Sequence, residues 1–110
     1  MDALEVSNGI VAEFRRGTFV LAVLSRLESP QYGYSLLQIL EDKEFPIDAN
    51  TLYPLLRRLD KQGLLTSEWN TDEARPRKYY VLSPLGREVY ENLKKEWAAL
   101  AAQIQKILEV

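Results

Sequence analysis

Apolar side chains recur at spacings of three and four residues through the first sixty positions, which is the period of an amphipathic helix. The first run predicts one helix from about Asn8 to Leu27, although Gly17 in its middle weakens the pattern. A Ser-Pro-Gln-Tyr-Gly cluster at residues 29–33 then interrupts the chain. A second, shorter helix follows this cluster and ends near Glu44.

A third helix is predicted between two characteristic end residues. Asp48 or Asn50 begins it, because a side-chain oxygen at either position can accept from the unpaired amides of the first turn. Gly63 ends it as the residue that follows the last turn. Four leucines fall within a narrow arc of this helix and are expected to face the core: Leu52, Leu55, Leu56 and Leu59.

The opposite face of the third helix is polar and basic. It carries Asn50, Pro54, Arg57 and Lys61, with Tyr53 and Arg58 on its two flanks. A basic face alone is usually only a solvated surface. After a helix and a short turn, however, such a face is suited to insertion into a DNA major groove about 12 Å wide.

Two segments rich in aromatic and β-branched residues, Leu65–Thr71 and Arg77–Leu82, predict a hairpin with residues 72–76 as its loop. Basic residues cluster at the end of this loop and the start of the second strand: Arg75, Arg77 and Lys78. They can reach the phosphates beside a groove, and such contacts set the register of the protein on DNA. The helices and the basic hairpin together predict a winged helix-turn-helix.

Ser83 and Pro84 then begin a long last helix, with serine as the N-cap and proline at the first helical position. Its apolar residues alternate at spacings of four and three, as in the seam of a coiled coil: Leu93, Trp97, Leu100, Ile104 and Ile107. Too little chain remains to cover this seam, so a homodimer is predicted.

The predicted fold class is therefore α+β and mostly α. A winged helix-turn-helix of order α-α-α-β-β occupies residues 1–82 as a DNA-binding domain. Residues 83–110 form a C-terminal dimerisation helix that packs on the same domain.

Composition excludes several classes of function. The 110 residues contain no cysteine and no histidine, which removes disulfide frameworks, Cys/His zinc sites and Ser-His-Asp catalysis. The carboxylates are scattered and have no nucleophile partner, so no enzyme, cofactor or metal site is predicted. No apolar run approaches the roughly 20 residues of a membrane span, and the N-terminus is acidic where a secretory signal is basic. A cytoplasmic protein that does not bind membranes is therefore expected.

The formal net charge of -2 argues at first sight against nucleic acid, because phosphate contacts need positive charge. The charge is uneven along the chain, however. Residues 51–82 hold six basic and four acidic side chains, whereas residues 1–50 hold four basic and eight acidic ones. The basic segment contains the third helix and the hairpin, so the local charge favours DNA as the partner.

Three motifs together resemble the PadR family of transcription regulators: Tyr32-Gly33-Tyr34, TLYPLLRRL at residues 51–59 and RKYYVLSPLG at residues 77–86. The resemblance extends over roughly residues 16–100 without an insertion. It implies a repressor with an N-terminal winged helix and a C-terminal dimerisation helix, in the short class of the family. It also implies that the third helix enters the major groove. The implied DNA contacts are Asn50, Thr51, Tyr53, Arg57 and Lys61 on that helix, with Arg77 and Lys78 on the wing.

Two features leave alternatives open. The wing tip carries the acidic pair Asp72-Glu73, where members of the family often have a basic or glycine-rich tip, and this pair weakens phosphate contact. Trp97 either anchors the dimer seam or forms the wall of a pocket for a planar hydrophobic effector, as resemblance to the multidrug-sensing members implies. With such an effector, the segment from Ser83 to Gly86 is expected to act as a hinge.

Two hypotheses about function follow. The leading one is a sequence-specific DNA-binding repressor, released by a small lipophilic or phenolic compound. The alternative is a winged-helix module that binds another protein and never touches DNA, which the acidic net charge favours. Salt-dependent retention on DNA distinguishes the two.

Overall fold

The computed structural model describes residues 2–72 and 74–109, which form five helices around a small three-stranded sheet. In chain order the elements are α1 (Ala3–Arg16), α2 (Phe19–Ser25), β1 (Gln31–Tyr32), α3 (Gly33–Asp42), α4 (Ala49–Lys61), β2 (Leu65–Asn70), β3 (Arg77–Leu82) and α5 (Pro84–Leu108). Helices α3 and α4 form the helix-turn-helix, and β2 and β3 form the wing. The predicted fold class, a mostly helical winged helix-turn-helix with a long last helix, is confirmed. Glu73 of the wing tip lies outside the described residues.

The single helix predicted from Asn8 to Leu27 is wrong, because the chain forms two helices there. Helix α1 ends at Arg16 and α2 begins at Phe19. Between them the backbone amide and the hydroxyl of Thr18 both donate to the carbonyl of Arg15, at 3.0 and 2.8 Å. A threonine hydroxyl that bonds to a nearby carbonyl competes with the helix, and glycine beside it stabilises the helix poorly.

Helix α4 follows its sequence pattern closely. Asp48 is the N-cap, and its carboxylate accepts from the amide of Asn50 at 3.2 Å. The four leucines predicted to face the core are all buried: Leu52, Leu55, Leu56 and Leu59. The helix continues through Pro54, whose ring is exposed. Gly63 then turns the chain towards β2 with a φ of 81°, a conformation that favours glycine.

The sheet contains a strand that the sequence pattern did not predict. Its order is β1-β3-β2 and both pairs are antiparallel, so β3 is central. Strand β1 lies in the segment that was interpreted as a breaker cluster, and it pairs Gln31 with Tyr80 and Tyr32 with Tyr79. Two residues are too few to show the alternation of a strand. The added strand attaches the start of α3 directly to the wing.

The start of α5 is held firmly against the turn between α4 and β2. The hydroxyl of Ser83 donates to the carbonyl of Gly63 at 2.6 Å and accepts from the amide of Gly86 at 2.9 Å. The amide of Ser83 also donates to the carbonyl of Leu64 at 3.0 Å. A Cβ atom on Gly86 would overlap that same carbonyl, so the helix approaches as closely as glycine permits. A hinge from Ser83 to Gly86, as expected from the sequence, would have to break these contacts, so the hinge stays a prediction.

Two helical faces carry apolar side chains that the chain itself does not cover. Helix α1 has no buried residue and exposes Ile10 and Phe14. Helix α5 buries Tyr90 in the core, but its residues from 94 to 108 are all exposed. Within the described part of the chain, no helix combines the length and the hydropathy that crossing a membrane requires.

Candidate nucleic-acid interface

An open groove of about 590 Å³ lies between the exposed face of α4 and the wing. It brings together five of the side chains that the sequence analysis assigned to DNA: Tyr53, Arg57, Arg75, Arg77 and Lys78. Two of them come from α4, and the other three come from the wing. The groove thus joins the two predicted DNA-binding elements into one concave, cationic surface.

The other three predicted DNA-binding residues lie on α4 outside this groove. Lys61 lines a neighbouring depression together with Arg57 and Lys78. Asn50 is exposed in the first turn of the helix, and Thr51 is exposed on the side that faces α2. All three side chains remain accessible to a ligand that lies along α4.

Asp60 connects α4 to both strands of the wing. Its carboxylate accepts from the hydroxyl of Ser67 on β2 at 2.6 Å and lies 3.7 Å from the ammonium of Lys78 on β3. The pair is partly solvated, so it stabilises the fold only weakly. Lys78 therefore lies at the groove, and an anion that binds it more tightly than Asp60 does can displace this contact.

Tyr32 connects the wing to the start of α3. Its ring stacks on Tyr34 with centroids 6.0 Å apart and meets Tyr79 edge-on at 6.1 Å. Its hydroxyl accepts from the side-chain amide of Asn70 at 2.7 Å. The guanidinium of Arg77 lies 4.7 Å from the ring centre of Tyr34. Since stacked cations and aromatic rings attract each other, Arg77 is held in a defined place beside the groove.

The edge of the Tyr53 ring packs against the first turn of α3. A Cβ atom on Gly33 would overlap the ring of Tyr53, so this close packing requires glycine. The ring is 36% exposed, and its accessible part forms the floor of the groove. Tyr53 is thus both a predicted DNA contact and a packing residue between the two helices of the helix-turn-helix.

Several residues of this surface were missed by the sequence analysis or received no role there. Tyr32 and Tyr34 were noted only as parts of a motif, and Trp69, which is 63% exposed at the rim, was not assigned. Tyr80, in contrast, is buried in the core. The exposed hydroxyl of Tyr79 donates to Glu68 at 2.8 Å, and this hydrogen bond raises the pKa of Tyr79. A pair of aromatic residues around a glycine was the available signal for the tyrosine cluster.

The residues predicted for the dimer seam divide into two groups. Leu93 is partly buried against the core of its own chain. The other four form an exposed stripe on the second half of α5: Trp97, Leu100, Ile104 and Ile107. Trp97 itself is 52% exposed.

Comparison with known proteins gives a consistent result. Residues 20–92 match the family described as the transcriptional regulator PadR-like family. A crystal structure of a PadR family transcriptional regulator from Eggerthella lenta is similar, with a TM-score of 0.92 and 46% identity, and the match covers 96% of this chain and 95% of that one.

Two further relatives agree with this match. A transcriptional regulator of Clostridium thermocellum is 31% identical with a TM-score of 0.79, over 88% of this chain and 99% of that one. A transcriptional regulator of Mycobacterium tuberculosis is 31% identical over 93 residues, which are 84% of this chain and 87% of the relative. The family and these neighbours are regulators and not enzymes, which confirms the prediction that the protein is not an enzyme. The chain belongs to the PadR-like family of transcriptional regulators.

Proposed function

We propose that the protein is a sequence-specific repressor that inserts α4 into the major groove of operator DNA. The observation that carries this proposal is the common groove, in which Arg57 of α4 faces Arg75, Arg77 and Lys78 of the wing. The exposed side of α4 has the size and polarity to approach base edges. We place the protein in the bacterial cytoplasm, because operator DNA is found there.

The two sides of the groove have different tasks in this proposal. The α4 residues approach bases or the adjacent backbone: Asn50, Thr51, Tyr53, Arg57 and Lys61. The wing residues Arg75, Arg77 and Lys78 bind phosphates, which position the protein without selecting a sequence. Lys78 exchanges its weak contact with Asp60 for a phosphate when DNA binds.

The proposed repressor acts as a homodimer. The stripe from Trp97 to Ile107 on α5 is apolar, exposed and spaced like a coiled-coil seam, and monomers rarely leave such a stripe in water. A second copy covers it by twofold symmetry. Each copy then brings one α4 to DNA, so the operator is a pseudo-palindrome with half-sites about 34–36 Å, or a small multiple of that, apart.

Selection of binding sites from a random-sequence DNA pool, followed by titration at several salt concentrations, tests the proposal. The wild type should prefer the selected site over random DNA by at least about a thousandfold. Arg57→Ala should reduce that preference, whereas Lys78→Ala should weaken binding to both DNAs and reduce the salt slope by roughly one unit per protomer. Equal affinity for selected and random DNA would exclude a repressor. Absence of retention on DNA at low salt would instead favour the protein-interaction module.

We also propose that a planar hydrophobic effector, such as a lipophilic or phenolic compound, binds between the two Trp97 side chains of the dimer. Support comes from the exposed indole on the proposed seam, because ring faces combine stacking with apolar burial. Release from DNA requires that the compound favour a dimer arrangement that does not fit the operator.

Titration of planar dyes into a Trp69→Phe variant tests the effector site, since only the fluorescence of Trp97 then remains. Quenching should occur, and bound dye should lower operator affinity. Equal dye binding by the Trp69→Phe/Trp97→Ala protein, or unchanged operator affinity with dye bound, would make Trp97 a packing residue only.

A further inference from the structure

A second cationic surface lies on the side of α4 towards α2, and no residue of the wing lines it. It is a pocket of about 330 Å³ between α2 and α4, and Arg16, Thr51 and Arg58 lie at its edge. Arg58 follows Arg57 in the chain, so its Cβ points about 100° further around the helix. Arg58 therefore borders both this pocket and the depression that it shares with Lys61 and Lys78. The exposed face of α4 thus has basic residues on both of its sides.

The two arginines have no partner among residues 2–72 and 74–109, since neither forms a salt bridge or a cation–π contact there. The contrast with Arg15 is informative, because the guanidinium of Arg15 packs over the ring of Phe45 at 5.1 Å. Arg16 and Arg58 are both exposed, so these charges are available to an external anion.

The walls of the pocket increase the positive electrostatic potential that these two arginines produce. They consist of apolar side chains, among them Phe19, Val20 and Leu55, and no carboxylate lines the pocket. Low-dielectric walls focus the field of nearby charges and raise the local concentration of counter-ions. The exposed hydroxyl of Thr51 adds a hydrogen-bond donor at the same edge.

We propose that Arg16, Arg58 and Thr51 bind the phosphodiester backbone on the side of the major groove away from the wing. The inference rests on the proposed function, because it takes α4 as the element inside that groove. A helix in the major groove has a phosphate backbone on each side. The wing reaches one backbone, and the α2–α4 pocket reaches the other. DNA binding is thereby anchored at two edges, and α4 is held at a fixed depth.

The test compares Arg16→Ala, Arg58→Ala and the double variant with the full-length wild type in salt titrations on selected and random DNA. Each phosphate contact that is lost should make the plot of log affinity against log salt shallower by about 0.9 per protomer. Affinity should fall by the same factor on both DNAs, because backbone contacts carry no sequence information. Arg58→Lys should retain most of the affinity, since lysine also binds phosphate as a point charge.

Lys95→Ala is the matched control, because Lys95 is an exposed cation on α5 far from the pocket in sequence and outside its lining. It should leave the slope unchanged. If the arginine variants keep the wild-type slope while the wild type still prefers its selected site, this inference fails and the proposed function stands. If Arg58→Ala selectively removes the preference, Arg58 reads a base and the backbone assignment is wrong. If the wild type shows no preference for any site, both proposals fail.

Discussion

Tyr32 and Tyr79 lie opposite each other on β1 and β3, and each uses its hydroxyl in one side-chain hydrogen bond. The bond between Asn70 and Tyr32 is partly buried, whereas the bond from Tyr79 to Glu68 is exposed. A partly buried amide that loses its acceptor is compensated less well by water than an exposed carboxylate is. The two hydroxyls are therefore chemically alike but differ in their contribution to stability.

Tyr32→Phe should destabilise the fold by about 1 kcal/mol, because it leaves the side-chain amide of Asn70 without its acceptor. Tyr79→Phe should change stability by less than about 0.5 kcal/mol, as is usual for exposed sites. Urea unfolding of both variants measures the difference. Equal effects would mean that the link between Tyr32 and the wing contributes nothing to the fold.

For individual residues, contacts between positions close in sequence were predictable, and contacts between positions far apart in sequence were not. The buried leucines of α4 and the Asp48 cap followed from spacing, because a helix converts position in the chain into direction. The partner of Tyr32 did not follow, since Asn70 is 38 residues away along the chain. The position of Arg16 beside α4 could not be predicted either, because it depends on the turn between α1 and α2.

At the level of whole elements, the close packing of α3 on α4 requires glycine at position 33. Gly33 lies in the first turn of α3, and the ring of Tyr53 occupies the space that a Cβ atom would need. Gly33 has an ordinary negative φ, so alanine is excluded by Tyr53 and not by the backbone.

Gly33→Ala should have opposite effects in two backgrounds. In the wild type it should destabilise the fold by about 1–3 kcal/mol, because the new methyl group overlaps Tyr53. In a Tyr53→Ala background it should stabilise by up to about 1 kcal/mol, because alanine favours a helix more than glycine does. A double-mutant cycle in urea measures this coupling. The same sign in both backgrounds would show that Tyr53 does not restrict this position.

The predicted and observed elements differ at two places, the break between α1 and α2 and the short strand β1. A helical period continues through residues 8–27, but the Thr18 hydroxyl ends α1 there, and hydroxyl contacts leave no mark on an apolar pattern. Strand β1 is defined only by its pairing with β3. Longer elements, such as α4 and α5, were predicted within a few residues because many positions repeat the same signal.

For the whole molecule, the uncovered stripe on α5 leads to a prediction about assembly. The full chain should sediment as a dimer at micromolar concentration, and Leu100→Glu should give monomers, because a charge in the seam prevents its burial. Leu100 is already exposed within one chain, so the helical content of the monomer should be retained.

Lys95→Glu serves as the control for assembly. Lys95 lies about 140° around α5 from Leu100, on the face away from the stripe, and it should leave the dimer intact. Analytical ultracentrifugation of the three proteins decides the matter. A monomeric wild type, or a dimer that survives Leu100→Glu, would contradict an interface at this stripe.

The hydrogen-bonded joint at Ser83 and Gly86 connects α5 mechanically to the rest of the subunit. The 25 residues of this helix extend about 37 Å at 1.5 Å per residue, and their first turn is hydrogen-bonded to the turn between α4 and the wing. In the proposed dimer, each subunit would act as a lever whose fulcrum is the contact between the two α5 helices. A rotation of about 5° at the fulcrum displaces the DNA-binding end by roughly 3 Å, more than a bidentate hydrogen bond tolerates. Small changes in side-chain packing along α5 are thus amplified into a mismatch with the spacing of the operator.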